Sequence, residues 1–285
     1  MDIVMYSGGV GSYHAAKRTI AKGRNVALLF TDTLIEDGDL YRFLIESAGL
    51  LFGVTVDDLV ERARAIPEVF DDLQGRKSYL SRLSDDTARR IPRLHWVSDG
   101  RTPWELFLDE RFIGNDKVPI CSRVLKQEMA RAAVEKRFKK TDKIVLGIDW
   151  QEQHRKAAPK AGWYPHPVVF PMMEKPYLTK VDMLNNLDGM RAPALYRQGF
   201  PHNNCGGFCV RGGFGLFARL YDKNPVLYMY HEGQERQVRS ALSADISVLR
   251  SRKGYQAVPL TLEELRERMD GVDRNDMGGC GCFVD

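Results

Sequence analysis

An α/β fold, a parallel sheet with helices on its flanks, is predicted by three features of the sequence. Residues 2–6, 26–30 and 143–148 are short, continuous apolar runs, the pattern of strands buried on both faces. Residues 13–22, between the first two runs, have helical composition, which makes a strand–helix–strand unit. Overall composition is that of a globular chain: 285 residues with 44% hydrophobic and 28% charged excludes disorder and coiled coil as the main state.

Taken in order, the first strand breaks at Ser7-Gly8-Gly9-Val10-Gly11-Ser12 and the chain turns again at Gly23-Arg24-Asn25 before the second strand. A helical pattern covers residues 40–50, and residues 54–83 read as mainly helical and charged. Residues 124–140 form a basic amphipathic helix ahead of the strand at 143–148. Beyond Trp150 prolines recur and glycines cluster between 199 and 215, with helices expected near 179–187, 213–221 and 262–269. The tail, Asp276 to Asp285, is glycine-rich. The expected division is a nucleotide-binding α/β unit at 1–150 and a helical and loop region carrying cysteines at 151–285.

Glycines between a buried strand and a helix let the backbone turn and aim successive N–H groups at an anion. The helix N-terminus adds partial positive charge, and the Ser7 and Ser12 hydroxyls can donate. The spacing is neither GxxxxGK[ST] nor GxGxxG. The alternative is an ordinary glycine-rich turn.

The loop resembles the SGGxDS PP-loop of the adenine nucleotide alpha-hydrolase superfamily, which includes ATP pyrophosphatases, phosphoadenosine phosphosulfate (PAPS) reductases and sulfur-inserting enzymes. Gly11 stands where that pattern has aspartate. Further motifs follow in the family's order. Phe30-Thr31-Asp32-Thr33 resembles the segment beside the adenine nucleotide. Ile120-Cys121-Ser122-Arg123-Val124-Leu125-Lys126 resembles a CTxxLK segment. Gly147 to Arg155 resembles GxRxxExxxR, with Asp149 in place of the first arginine, Glu152 retained and Arg155 one place short of the last arginine. Pro193 to Cys205 resembles the stretch ahead of the family's cysteine cluster. The resemblance implies a Rossmann-like sheet that binds ATP or another adenylyl nucleotide at Ser7, Gly8, Gly9, Val10, Gly11, Ser12, Asp32, Thr33 and Gly147. Lys126, Arg155 and Glu152 would be its catalytic residues, with Mg²⁺. The implied reaction is AMP-forming activation of an acceptor coupled to sulfur transfer. A PAPS or APS reductase-like activity is the alternative, and a non-catalytic nucleotide sensor or assembly partner, motivated by Gly11, is a third.

Four of the five cysteines form two tight pairs, Cys205/Cys209 and Cys280/Cys282. Together they supply four thiolates, the set that zinc or a [4Fe–4S] cluster takes, with Cys121 or His202 as an alternative ligand. A redox dithiol or inert thiols are the other readings. Among the remaining residues, His14 reads as a packing histidine and His154 as a substrate contact or a bystander. Arg101 suits an anionic group or a solvated loop. The basic run through Lys126, Arg131, Lys136, Arg137, Lys139 and Lys140 reads as a solvated face or a nucleic-acid contact. A net charge of +4 permits a nucleic-acid substrate without requiring one; a partner protein or self-association is also compatible. The start MDIVMYSGGVG has no basic segment ahead of an apolar run, so no secretory signal is expected, and with thiols kept reduced the expected setting is cytoplasmic, away from membranes.

Overall fold

The computed structural model describes residues 1–279, apart from the Lys253 side chain. Its centre is a five-stranded parallel sheet in the order β3-β2-β1-β4-β5: β1 Asp2–Met5, β2 Val26–Asp32, β3 Leu94–Ser98, β4 Lys143–Val145 and β5 Val168–Val169. Alternation along each strand sends Val4, Leu28, Phe30 and Val145 to one face and Ile3, Met5, Leu29 and Ile144 to the other. The first face is covered by α1 Val10–Ala21, α2 Gly38–Phe52, α3 Asp57–Arg64 and α4 Leu73–Arg90. After α5 Pro103–Asp109, helix α6 Met129–Arg137 covers the second face, together with Trp163 and Phe170. Covering both faces is why the strands read as unbroken apolar runs.

The chain moves outward from β1 through β2 to β3, then returns to lay β4 on the other side of β1. A crevice therefore opens between the carboxyl ends of β1 and β4, where open α/β sheets bind ligands. The sheet continues past residue 150, since β5 pairs with β4. Then come α7 Ala157–Gly162, which precedes β5, and α8 Lys180–Asn185, α9 Ala194–Arg197, α10 Phe214–Lys223, α11 Pro225–Leu242, an antiparallel hairpin of β6 Leu249–Lys253 and β7 Gln256–Leu260, and α12 Leu262–Glu267. A second core joins α5, α10, α11 and α12 to residues 195–210.

Several expectations shift. The helix expected at 13–22 begins at Val10, so the loop glycines run directly into its first turn. The stretch 54–83 splits into α3 and α4 around Pro67. The expected helix at 124–140 is a π-helix, Ser122–Glu128, followed by α6; a π turn is rare and is frequently found at functional sites. Among the described residues no helix is long and apolar enough to cross a membrane.

Candidate functional site

The loop after β1 needs glycine at two places for different reasons. Gly8 has φ +73°, a left-handed conformation. Gly147, just past β4, has no room for a side chain: a Cβ there would lie 2.8 Å from the backbone carbonyl of Gly11. Gly11 is nearly as confined, its hypothetical Cβ 3.1 Å from the Gly147 oxygen. Where the family pattern has a carboxylate, this chain thus has direct packing of the first turn of α1 onto the exit of β4. Gly9 caps α1 without a side-chain hydrogen bond, and Ser12 Oγ donates to its carbonyl at 2.8 Å. The uncapped first turn presents amide donors and partial positive charge.

A cavity of about 380 Å³ opens there, lined by Ser7, Gly9, Gly11 and Ser12 from one strand exit and Leu146, Gly147 and Ile148 from the other. Lys126, Glu152, Arg155, Lys180, Tyr196 and His202 complete it. Lys126 is not on the solvated basic face expected for its helix; the π-helix turns it inward, 4% exposed, with Nζ 3.3 Å from Glu36 Oε1 and 3.4 Å from Cys205 Sγ. Arg155 pairs with Glu152 in the 3₁₀ segment Trp150–Lys156. Asp149, in the arginine's place, caps that segment by accepting from the Gln151 amide at 2.9 Å. Lys180 opens α8 and lies 4.8 Å above the Tyr196 ring.

Asp32 and Thr33 do not line this cavity. Asp32 is buried and satisfied from within, accepting from Tyr41 Oη at 2.7 Å, Trp96 Nε1 at 3.0 Å and the Leu34 amide at 2.7 Å. Burial pushes its carboxyl up to about 6 despite these donors. Tyr41 and Trp96 stack at 5.4 Å above it. Thr33 donates to Glu36 Oε1 at 3.1 Å. Glu36, which no sequence motif marked, is buried and also accepts from Lys126 and the Cys205 amide.

Cys205, Gly206 and Gly207 all have positive φ, at +54°, +60° and +87°. For Cys205 this is a conformation non-glycine residues rarely hold, the kind of strain found where a loop is built for function. Cys121, Cys205 and Cys209 line one small second cavity together with Thr33, Ser122 and Lys126. Lys126 therefore stands at the wall between the Ser7–Ser12 loop cavity and the cysteines. Among the described residues no three His, Cys, Asp or Glu side chains are grouped to hold a metal; Cys280 and Cys282 lie outside the described residues. The approach to them is anchored, with the Asp276 carbonyl accepting from the Gly215 and Leu216 amides and the Gly279 amide donating to Arg211.

His202 lines the larger cavity and not the cysteine pocket. It is 8% exposed, and neither ring nitrogen has a hydrogen-bond partner among the described residues. Its neighbour Asn203 donates to the Gly8 carbonyl at 3.0 Å, tying this segment to the loop. His14 is a packing residue, bonded to the Met183 carbonyl at 2.8 Å. Arg101 is engaged with Asp99 and Asp109, and His154 is exposed. Glu36, Lys180, Tyr196 and the Asn203 clamp are the site residues that motif reading missed.

Burial, reinforced by the charges of Lys126 and Lys180, lowers the His202 imidazole to about 4. Between pH 6.5 and 4 the unfolded chain then binds this proton and the folded chain does not, so stability falls as pH falls through that window. Removing the imidazole should remove about 3 kcal/mol of acid sensitivity. Chemical denaturation of wild type and His202→Phe at pH 7 and pH 4.5 checks this: the variant should lose less stability on acidification, and parallel losses would contradict it.

No protein-family model matches the chain, and no curated protein or solved structure matches it either.

Proposed function

We propose that the chain is a PP-loop enzyme that binds ATP or a related adenylyl nucleotide and acts at its phosphates. The observation that carries this reading is the position of the Ser7–Ser12 loop. It lies at the switch point between β1 and β4, in one cavity with an uncapped helix N-terminus and the side chains of Lys126, Arg155 and Lys180. The loop amides hold the two distal phosphates. An acceptor oxygen attacks the α-phosphorus, the bond from that phosphorus to the bridging oxygen breaks, and pyrophosphate leaves with that oxygen. Lys126 and Arg155 meet the negative charge that grows on the leaving group, and the backbone donors need no reorganisation to do the same. Mg²⁺ entering with the nucleotide would find Glu152, the cavity's carboxylate, beside the phosphates, which suits its preference for few protein ligands. A sulfur nucleophile then displaces AMP from the activated acceptor.

Lys126, shared by the two cavities and 3.4 Å from Cys205 Sγ, favours one second reading: a reductase-like reaction in which a thiol attacks the sulfur of a sulfonucleotide. Release of pyrophosphate from ATP marks the first reaction, and thiol-dependent release of sulfite from PAPS marks the second.

The loop itself is tested at Gly9. Its backbone, φ −99° and ψ 161°, is one that valine adopts freely, so the substitution leaves the loop unstrained. The added Cβ would face Tyr196 Oη at 3.0 Å and narrow the approach to the amides. Gly9→Val should keep its circular dichroism spectrum and lose ATP affinity by about tenfold or more, a cost on the order of 1.4 kcal/mol. Unchanged affinity by calorimetry in the folded variant would show that the loop does not hold the nucleotide.

A further inference from the structure

One segment of this chain is strongly basic. Residues 131–166 contain nine basic and four acidic side chains, a net of +5, against +4 for all 285 residues. The remaining residues together are therefore slightly acidic. Arg131, Lys136, Arg137, Lys139 and Lys140 are all exposed, whereas the four apolar residues Ala130, Ala133, Val134 and Phe138 turn toward the core. Lys156 and Lys160 continue the exposed basic series beyond the 3₁₀ segment.

That face carries a groove of about 560 Å³, separate from the phosphate-loop cavity and lined by Arg131, Lys139, Lys140, Trp163, Tyr164 and His166 among others. The Arg131 guanidinium lies 5.4 Å over the buried Trp163 ring and donates to the Gly162 carbonyl, so it forms a fixed wall. Tyr164 is different. It is 80% exposed, so its ring is open to solvent. Cations and an open aromatic ring lining one groove, beside the single carboxylate Glu135 among its lining residues, match the two parts of an unpaired nucleotide: phosphates for the lysines, and a base face for the tyrosine. A duplex keeps its bases stacked inside and would leave the ring idle.

We infer that this groove binds single-stranded nucleic acid. Its floor and rim are joined to the nucleotide site through one run of chain, since Glu152 and Arg155 line the phosphate cavity and α7 leads from there to Trp163 and Tyr164. A strand held here would be delivered beside the phosphates. The inference stands on the groove and does not require the reading of the phosphate loop.

The test is fluorescence anisotropy with a labelled oligothymidylate, a matched duplex and anionic vesicles, using wild type, Lys139→Glu/Lys140→Glu and Tyr164→Ala. Both sets of changes lie on exposed side chains outside the phosphate cavity, so ATP affinity should stay at the wild-type value in each. Charge reversal should weaken single-strand binding by about tenfold or more at low salt and flatten its salt dependence. Tyr164→Ala should weaken it by about fivefold or more with the salt slope unchanged. Single-strand affinity equal to wild type in both variants overturns the inference. So does duplex binding as tight as single-strand binding, and so does equal competition by the vesicles, which would make the face a general polyanion surface.

Discussion

Lys126→Met should lower turnover of the true substrate by about 10²–10³-fold while weakening nucleotide binding much less. Lys126 reaches the cavity at the loop after β1 from a π-helix and is held by Glu36 on its other side, so its charge is placed before substrate arrives. A preplaced charge of this kind acts most where negative charge grows, on the departing pyrophosphate. The same substitution strands Glu36, 1% exposed at its side chain, without its cation. That should cost about 3–5 kcal/mol of stability. The double variant Lys126→Met/Glu36→Gln separates the two effects: it should recover most of the stability and none of the turnover. Arg155→Ala should act in the same direction as Lys126→Met. Wild-type turnover in a folded variant lacking both cations would take them out of the mechanism. A protein without pyrophosphate release at any stage would instead move the assay to sulfite release.

Cys205→Ser should abolish metal binding by the protein. Cys205 and Cys209 lie in a loop held in a strained left-handed turn, line one pocket with Cys121, and have the Lys126 ammonium 3.4 Å from the Cys205 sulfur. We propose that Cys205 and Cys209, with Cys280 and Cys282, hold a thiophilic centre, either one zinc or a [4Fe–4S] cluster; the latter two cysteines lie outside the described residues. Serine keeps the size and the backbone while removing the soft ligand. Elemental analysis and the visible spectrum of anaerobically purified protein decide between the metals. Wild type should carry one zinc, or about four irons with a brown colour, and the variant neither. Truncation after Gly279 should release the metal too, because it removes half of the ligands. Substoichiometric metal in wild type would leave the cysteines as thiols, and a Cys121→Ser variant that loses the metal would add that residue to the set.

The central strands were legible because strands buried on both faces leave an unbroken apolar mark, and the glycine loop was legible because its backbone excludes most other residues. Where packing is between polar groups the same reading failed. Helix α11, 18 residues long, carries His231, Glu232 and Glu235 on its buried side, which blurs its apolar period. Those groups are tolerated only because distant partners meet them: Glu235 accepts from the Val248 and Leu262 amides at 2.9 and 2.7 Å, and Glu232 takes the Arg266 guanidinium at 2.8 Å. Burial still pushes the Glu235 carboxyl up to about 7. Strand β3 mixes His95 and Trp96 into a partly covered edge, and β5 is two residues long, too short for a periodic signal.

By itself, the sequence determined the parallel α/β class, the glycine loop between β1 and α1, and the polar residue types the chain could bring to it. All of these depend on local backbone preference or on hydrophobic runs, which neighbours in the chain encode. Only the tertiary structure decided which of those residues share a cavity. It turned Asp32 away into a Tyr41–Trp96 pocket, because three internal donors satisfy that carboxylate, and it brought Glu36 to Lys126 across 90 residues. It also set Cys121 beside Cys205 and Cys209, and Lys180, Tyr196 and His202 around the loop after β1. The physical reason is that a charge or polar group acts over a few ångströms in space, and those distances are set by how sheet and helices pack, not by spacing along the chain.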